Sequence, residues 1–269
     1  MPSQIVASIR LCLKAFRQRY HLGNLALCSS CAHCLIAFIA RGHEAREFSA
    51  LAVVSIASAK GGCGKTTVAI LLGAEFALDG YKVALLDCDL NQHASAFGLK
   101  AKLPGFSVVP DIGETEILKA LRECGAHHDI VLVDLPGGSS TLALKSMQRS
   151  HFVLVPMRPS LPDARDAMKT VAQVDDAEEL ARTPIPRALL WTLFRPGFES
   201  KVSRHVRTTL EGQGVSILQS ALMERAAFQA IHLNGRVPRQ TEPHGAAAAN
   251  ITALSNEVME WLKFEDKAA

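Results

Sequence analysis

From residue 52 onward, short apolar runs alternate with longer amphipathic stretches, the pattern of a parallel sheet whose strands are joined by crossover helices. The runs AVVSIA (52–57), KVALLD (82–87), FSVV (106–109), DIVLVD (129–134), FVLVP (152–156), RALLWTL (187–193) and VSIL (215–218) predict strands. Helices are expected to begin near Lys65, Glu114, Thr141, Pro162, Val202, Ala221 and Ala246. Several of the runs are apolar without alternation, as strands covered on both faces require. The expected fold class is α/β, with a mostly parallel, doubly wound sheet of about seven strands between two layers of helices.

Residues 1–50 do not join this pattern. After Met1 there is no methionine until Met147, while a complete domain reads from Leu51. Two units are expected: an N-terminal extension over 1–50, either an over-extended frame with the start near Leu51 or a genuine extension such as a small interaction helix pair, and a complete folded domain over 51–269. Cys28, Cys31 and Cys34, with His21, His33 and His43 nearby, raise a metal site, but on a helix the three thiols rotate round the axis and no cage results.

Composition narrows the class. A 269-residue chain with 48% hydrophobic residues can bury a substantial core. Seven cysteines without a disulfide framework fit a reducing, cytoplasmic compartment. The apolar run from Leu25 to Ala40 is shorter than a membrane span, and as a signal sequence it would export the chain away from the nucleotide that the next motif calls for. The formal charge is only +3, yet residues 182–239 carry nine Lys/Arg against three Asp/Glu, so a basic surface is expected late in the chain.

The chemistry is concentrated in SIASAKGGCGKTT, Ser55 to Thr67. A strand that runs into a glycine-rich turn and then a helix points backbone N–H groups at an anion. Gly61, Gly62 and Gly64 permit the close approach, Cys63 completes the loop, Lys65 is placed for β- and γ-phosphates, Thr66 for Mg²⁺ and Thr67 for a further phosphate contact. The ordinary loop G-x-x-x-x-G-K-S/T wants glycine where Ala59 stands, and it has no counterpart to Lys60. Carboxylates at other strand ends supply the partners of hydrolysis: Asp134 as the Mg²⁺ group, and Asp87 and Asp89 on one side of their strand terminus.

KGGCGKTT resembles the deviant Walker A motif, KGGxGKT followed by Ser or Thr, of the ParA/MinD-type ATPases. VALLDCDLNQHAS is similar to that family's Walker A′ segment and VLVDLPGG to its Walker B. The resemblance runs from about Leu51 to the C-terminus. It implies a P-loop NTPase fold, ATP and Mg²⁺ as cofactors, and an ATP-sandwich homodimer in which Lys60 of one subunit reaches the phosphates held by the other. It also implies that Asp89 positions the attacking water and that Asp87 supports the magnesium shell. Asp89-Leu90-Asn91 stands where the family commonly has D-P-Q, and DLPGG replaces the frequent D-T-P-P; both departures bear on hydrolysis more than on binding.

Within that family the partition branch fits best. An iron–sulfur donor would need cysteines beyond the Walker B segment, and none follows Cys124. The C-terminal helix carries Ile251, Leu254, Val258, Trp261 and Leu262 on one face, but its acids outnumber its bases, so core packing is expected rather than an anionic membrane. Lys201, Arg204, Arg207, Arg225, Arg236 and Arg239 are candidates for non-specific DNA contacts, while Arg195 and Met223 are plausible adenine neighbours by analogy. DLPGGSS and LMERAAFQAI are similar to segments of the VirC-like partition ATPases. The expected function is ATP-dependent positioning or segregation of DNA or of a DNA-transfer complex, with a hydrolysis-stimulating DNA-binding or relaxase-type protein as partner. The alternative is a MinD-like regulator that positions a cargo through a protein or membrane partner.

Overall fold

The computed structural model describes residues 52–264 apart from Pro196 and Phe198, so the expectations for residues 1–50, including Cys28, Cys31 and Cys34, lie outside it. Seven strands form one sheet in the order β3-β2-β4-β1-β5-β6-β7: β1 (Ala52–Ile56), β2 (Val83–Asp87), β3 (Phe106–Val109), β4 (Ile130–Asp134), β5 (Phe152–Met157), β6 (Arg187–Phe194) and β7 (Leu222–Met223). Every pairing is parallel. The helices are α1 (Lys65–Leu78), α2 (His93–Gly98), α3 (Ile117–Gly125), α4 (Thr141–Met147), α5 (Leu161–Ala181), α6 (Lys201–Gly212), α7 (Ala226–Asn234), α8 (Pro238–Thr241) and α9 (Ala246–Phe264). β1, β2, β4 and β5 are buried along their whole length, which is why their sequences do not alternate.

Local signals set three of the helix starts. Ser140, Ser160 and Ser200 cap α4, α5 and α6 by accepting the backbone N–H three residues on, and Pro162 occupies the first turn of α5. α9 buries Ile251, Leu254, Val258 and Leu262, and Trp261 stacks on Phe152 at 5.3 Å. That apolar face belongs to the core, as its acidic partners required. Among the described residues no helix is long and apolar enough to cross a membrane.

Two expectations are corrected. The run 215–218 makes only one isolated bridge, Leu189 with Ile217, and the seventh strand is Leu222–Met223 instead. The chain leaves β6 after Leu218 because Glu257 on α9 accepts the N–H groups of Gln219 and Ser220, at 2.6 and 2.7 Å. The β6–β7 register then slips between Thr192 and Phe194, where Leu193 takes a φ of 52°. The helix expected near Ala221 starts at Ala226, and α2 was not foreseen because six residues carry too little periodicity to announce themselves.

α1 is buried on nearly every side and contains Glu75, whose side chain is fully enclosed. Arg239 bridges Glu75 at 3.0 Å and Asp79 at 2.8 Å, and the Thr252 hydroxyl donates to Glu75 at 3.1 Å. Burial raises the Glu75 pKa, and Arg239 opposes that rise. The Arg239 charge is thus committed to clamping α8 onto α1. Arg239→Ala is expected to lower the unfolding free energy by roughly 3 kcal/mol at pH 7, because it strands a buried carboxylate. The loss should shrink as the pH falls and Glu75 takes up a proton, and urea denaturation at pH 7 and pH 5 measures both.

Candidate nucleotide site

The site follows from strand register. β1 lies between β4 and β5, and Ile56 pairs with Asp134 while Asp87 also pairs with Asp134. The loop leaving β1 therefore emerges beside two carboxylates at the C-terminal edge of the sheet, where open α/β folds bind ligands. Residues 57–64 form that loop, and α1 starts at Lys65 with Gly64 as its N-cap. Gly62 and Gly64 adopt φ of 72° and 88°, a left-handed geometry that side chains resist. A Cβ at Gly137 would sit 3.1 Å from the Gly61 nitrogen, so the DLPGG segment touches the loop backbone to backbone. This contact accounts for Gly137, while Gly138 beside it takes a φ of 113°.

The loop carbonyls are tied from several directions. Thr192 donates to the Cys63 carbonyl at 2.8 Å, Arg158 to the Gly62 carbonyl at 2.6 Å, and Lys65 to the Lys60 carbonyl at 3.3 Å. The Gly64 carbonyl accepts the Val68 N–H at 2.9 Å, which is the first turn of α1. Above the loop lies a cavity of about 680 Å³, lined by Gly61, Gly62, Gly64, Lys65, Thr66, Thr67 and Asp89 among others. Its volume suits a small-molecule ligand. His93, Phe97, Lys100 and His232 close the far wall; none of these was singled out in the sequence, because they come from α2 and the end of α7. Burial first, then His93 and Lys100, lower the His232 pKa.

Each foreseen residue has a definite place. Cys63 is buried under the loop and contributes through its backbone, its thiol resting 3.6 Å from the Lys60 carbonyl. Asp87 spends both oxygens on the chain: one accepts the Asp89 N–H at 3.2 Å, the other the Ser95 N–H and hydroxyl at 2.8 and 2.7 Å. It thereby anchors the segment that carries Asp89 and opens α2. Asp89 lines the cavity and accepts the Asn91 N–H at 2.9 Å. Lys60 turns aside to an ion pair with Asp163 at 3.1 Å, a buried first-turn residue of α5 further held by Ser160. Arg195 and Met223 do not line the cavity; Arg195 faces Glu224 at 3.9 Å, and the Met223 N–H is bonded to Asn250.

Asp134 is the exception. It is fully buried, and neither carboxylate oxygen has a hydrogen-bond partner of full geometry. Burial pushes its pKa up to about 7, Asp87 and Asp89 add to the rise, and the Thr66 hydroxyl and Lys65 ammonium pull against it. Two bare oxygens beside a threonine hydroxyl and a phosphate cradle fit Mg²⁺, which takes one or two carboxylates together with ligand phosphates and water. Among the described residues there is no cluster of three or more His, Cys, Asp or Glu that would cage a metal alone. Thr66 and Asp134 would hold the ion; Asp87, with three of its acceptor sites already used by the chain, would support the metal shell from beside them.

The basic candidates divide in the same way. Lys201 and Arg204 are exposed on α6, with Arg204 facing Glu199 at 3.7 Å. Arg207 lies over the Trp191 ring, 5.6 Å from its centroid, and also faces Glu199. Arg225 is half-buried at the start of α7, whereas Arg236 is exposed and donates to the Gln240 carbonyl.

The raised pKa of Asp134 has a thermodynamic sign. The folded state binds this proton more tightly than the unfolded chain, so the protein without ligand loses stability as the pH climbs from the ordinary carboxylate range through about 7. Asp134→Asn should therefore raise the melting temperature at pH 8 and change it little at pH 5. Thermal denaturation at the two values, without nucleotide or Mg²⁺, checks the difference.

Similarity to known proteins agrees with this geometry. A family model described as the CobQ/CobB/MinD/ParA nucleotide binding domain matches residues 54–238. The chain is 31% identical to the protein ParA of Rhizobium radiobacter over 74% of its own length and 90% of that protein's. It is 28% identical to the maintenance of carboxysome distribution protein A of Halothiobacillus neapolitanus, over 77% and 95%. It is 30% identical to the protein virC1 of Rhizobium rhizogenes, over 68% and 81%. Among solved structures, Cyanothece apo McdA superposes with a TM-score of 0.66 at 15% identity, covering 77% of this chain and 99% of that one. The septum site-determining protein MinD of Pyrococcus horikoshii, complexed with Mg-ADP, gives 0.60 at 18% identity, over 77% and 96%. The phosphate loop, the paired strand-end carboxylates and these matches together make the chain a member of the ParA/MinD family of nucleotide-binding ATPases.

Proposed function

We propose that this protein is a Mg²⁺-dependent ATPase that dimerises on ATP and in that state binds duplex DNA without sequence preference, positioning DNA or a DNA-transfer complex. The observation that carries the ATP reading is the cradle at Gly61–Thr67 set against the buried carboxylate of Asp134, which the Thr66 hydroxyl and Lys65 ammonium only partly offset. MgATP, when bound, supplies the phosphoanhydride to be cleaved. Lys65 and the loop amides neutralise phosphate charge, Thr66 and Asp134 hold the metal, and Asp89 orients water. Asp87 fixes the segment that carries Asp89.

Lys60 supports the dimer part of the reading. Its ammonium rests on Asp163 rather than in the cavity of its own chain, which leaves it available to a second subunit whose assembly would complete the site. A cation delivered across an interface stabilises transition-state charge only after association. Hydrolysis would then be slow until a partner such as a DNA-binding or relaxase-type protein favours the assembled state.

Of the residues read as DNA candidates, Lys201, Arg204 and Arg236 are exposed, with Arg207 and Arg225 less accessible. The similarity to ParA and virC1 supports this reading. A second reading, cargo positioning through a protein or membrane partner, is favoured by the likeness to the carboxysome distribution protein. Mobility-shift assays on arbitrary duplex DNA separate the two. The DNA reading expects a shift that requires ATP and weakens with salt. It also expects Lys201→Ala/Arg204→Ala to flatten the log–log salt slope by about 2, near 0.9 for each phosphate that is no longer neutralised. No shift at low salt with ATP, alongside binding to vesicles or a protein cargo, would favour the second.

A further inference from the structure

Arg158 follows directly on β5, at the strand edge from which the phosphate loop also rises, and its side chain was not foreseen as part of the site. Its guanidinium donates to the Gly62 carbonyl at 2.6 Å, a charge-assisted contact. In a trans peptide the C=O of one residue and the N–H of the next point in opposite directions. Gly62 and Gly64 line the cavity but Arg158 and Thr192 do not, so a Gly62 carbonyl turned to Arg158 leaves the Cys63 N–H facing the opposite way, and Thr192 does the same for the Gly64 N–H through the Cys63 carbonyl. The two tethers come from adjacent strands, β5 and β6, and act on successive peptides.

This matters because the loop needs an external constraint. Gly62 sits at φ 72° with no side chain of its own, and glycine passes easily between mirror-related conformations. A flip of the Gly62–Cys63 peptide would replace an amide donor with a carbonyl dipole facing the anion. Thr192 is buried and supplies a neutral hydroxyl, whereas Arg158 is exposed and brings a full charge to the outer side of the same turn.

We propose that Arg158 is a positioning residue of the nucleotide site: it pins the Gly62 carbonyl outward and so presents the Cys63 amide to bound phosphate. The inference deepens the ATP reading and rests on it. Because the effect runs through the loop backbone, it applies to the shared part of ATP and ADP and does not depend on long-range attraction between charges.

Equilibrium titration of the full-length protein with fluorescent MgATP and MgADP analogues, at low and high salt, tests this. Arg158→Ala is expected to weaken both nucleotides by the same factor, about tenfold, with the factor preserved at high salt. Arg158→Lys, which can still donate one hydrogen bond, is expected to recover part of the loss, and in turnover the defect should fall more on KM than on kcat. Unchanged affinity for both nucleotides in a variant that melts like the native protein would overturn the proposal. So would a loss confined to ATP or abolished by salt, since Arg158 would then be a direct contact to the terminal phosphate. If the native protein itself bound neither nucleotide, the ATP reading would fail first, and the proposal with it.

Discussion

The constraint on which the rest of this molecule depends is the parallel register of β2, β4 and β1. Asp87, Asp134 and Ile56 stand at one level, so two carboxylates and the root of the phosphate loop meet at one edge of the sheet. Everything nearer the ligand is arranged from there. Asp87 gives up its acceptor capacity to hold Asp89 and Ser95. Asp134 keeps its own unused in a buried site, a cost that ordinary folding does not select. One carboxylate builds the scaffold, and its neighbour is the one that the proposed Mg²⁺ would take.

The loop shows the complementary logic for an anion. Its amides are presented because its carbonyls are occupied, and the groups that occupy them come from α1, from Arg158 just past β5 and from β6. Tertiary structure thus shapes the cradle as much as the glycines do. Gly137 adds a steric condition, since a side chain there would press on the Gly61 nitrogen. Lys60, in its ion pair with Asp163, adds a cation beside the cradle without filling it.

Much of this was legible in the sequence because the signals were local. KGGCGKTT lies between an apolar strand and a helix, and the apolar runs ending in Asp87 and Asp134 announce buried strands with carboxylates at their ligand edge. What escaped was long-range or irregular. Arg158, Asp163 and Thr192 join the site through strand order, which no local pattern encodes. The run 215–218 has strand composition, but Glu257, some forty residues later, turns the chain away. Arg239 read as one of several surface bases, yet Glu75 on α1 and Asp79 at its C-cap, both far from it in sequence, hold it in ion pairs. Charge counting locates a basic segment but does not say which of its members are already paired.

Nucleotide binding rests most directly on the pairing of the amide cradle with Asp134. Calorimetric titration of the full-length protein with ATP, with and without Mg²⁺, measures it. One nucleotide per chain is predicted, bound more tightly with Mg²⁺, and the Mg²⁺ enhancement should vanish in Asp134→Asn while metal-free binding persists. Absence of ATP binding, or a Mg²⁺ enhancement that survives the loss of the Asp134 charge, would contradict it.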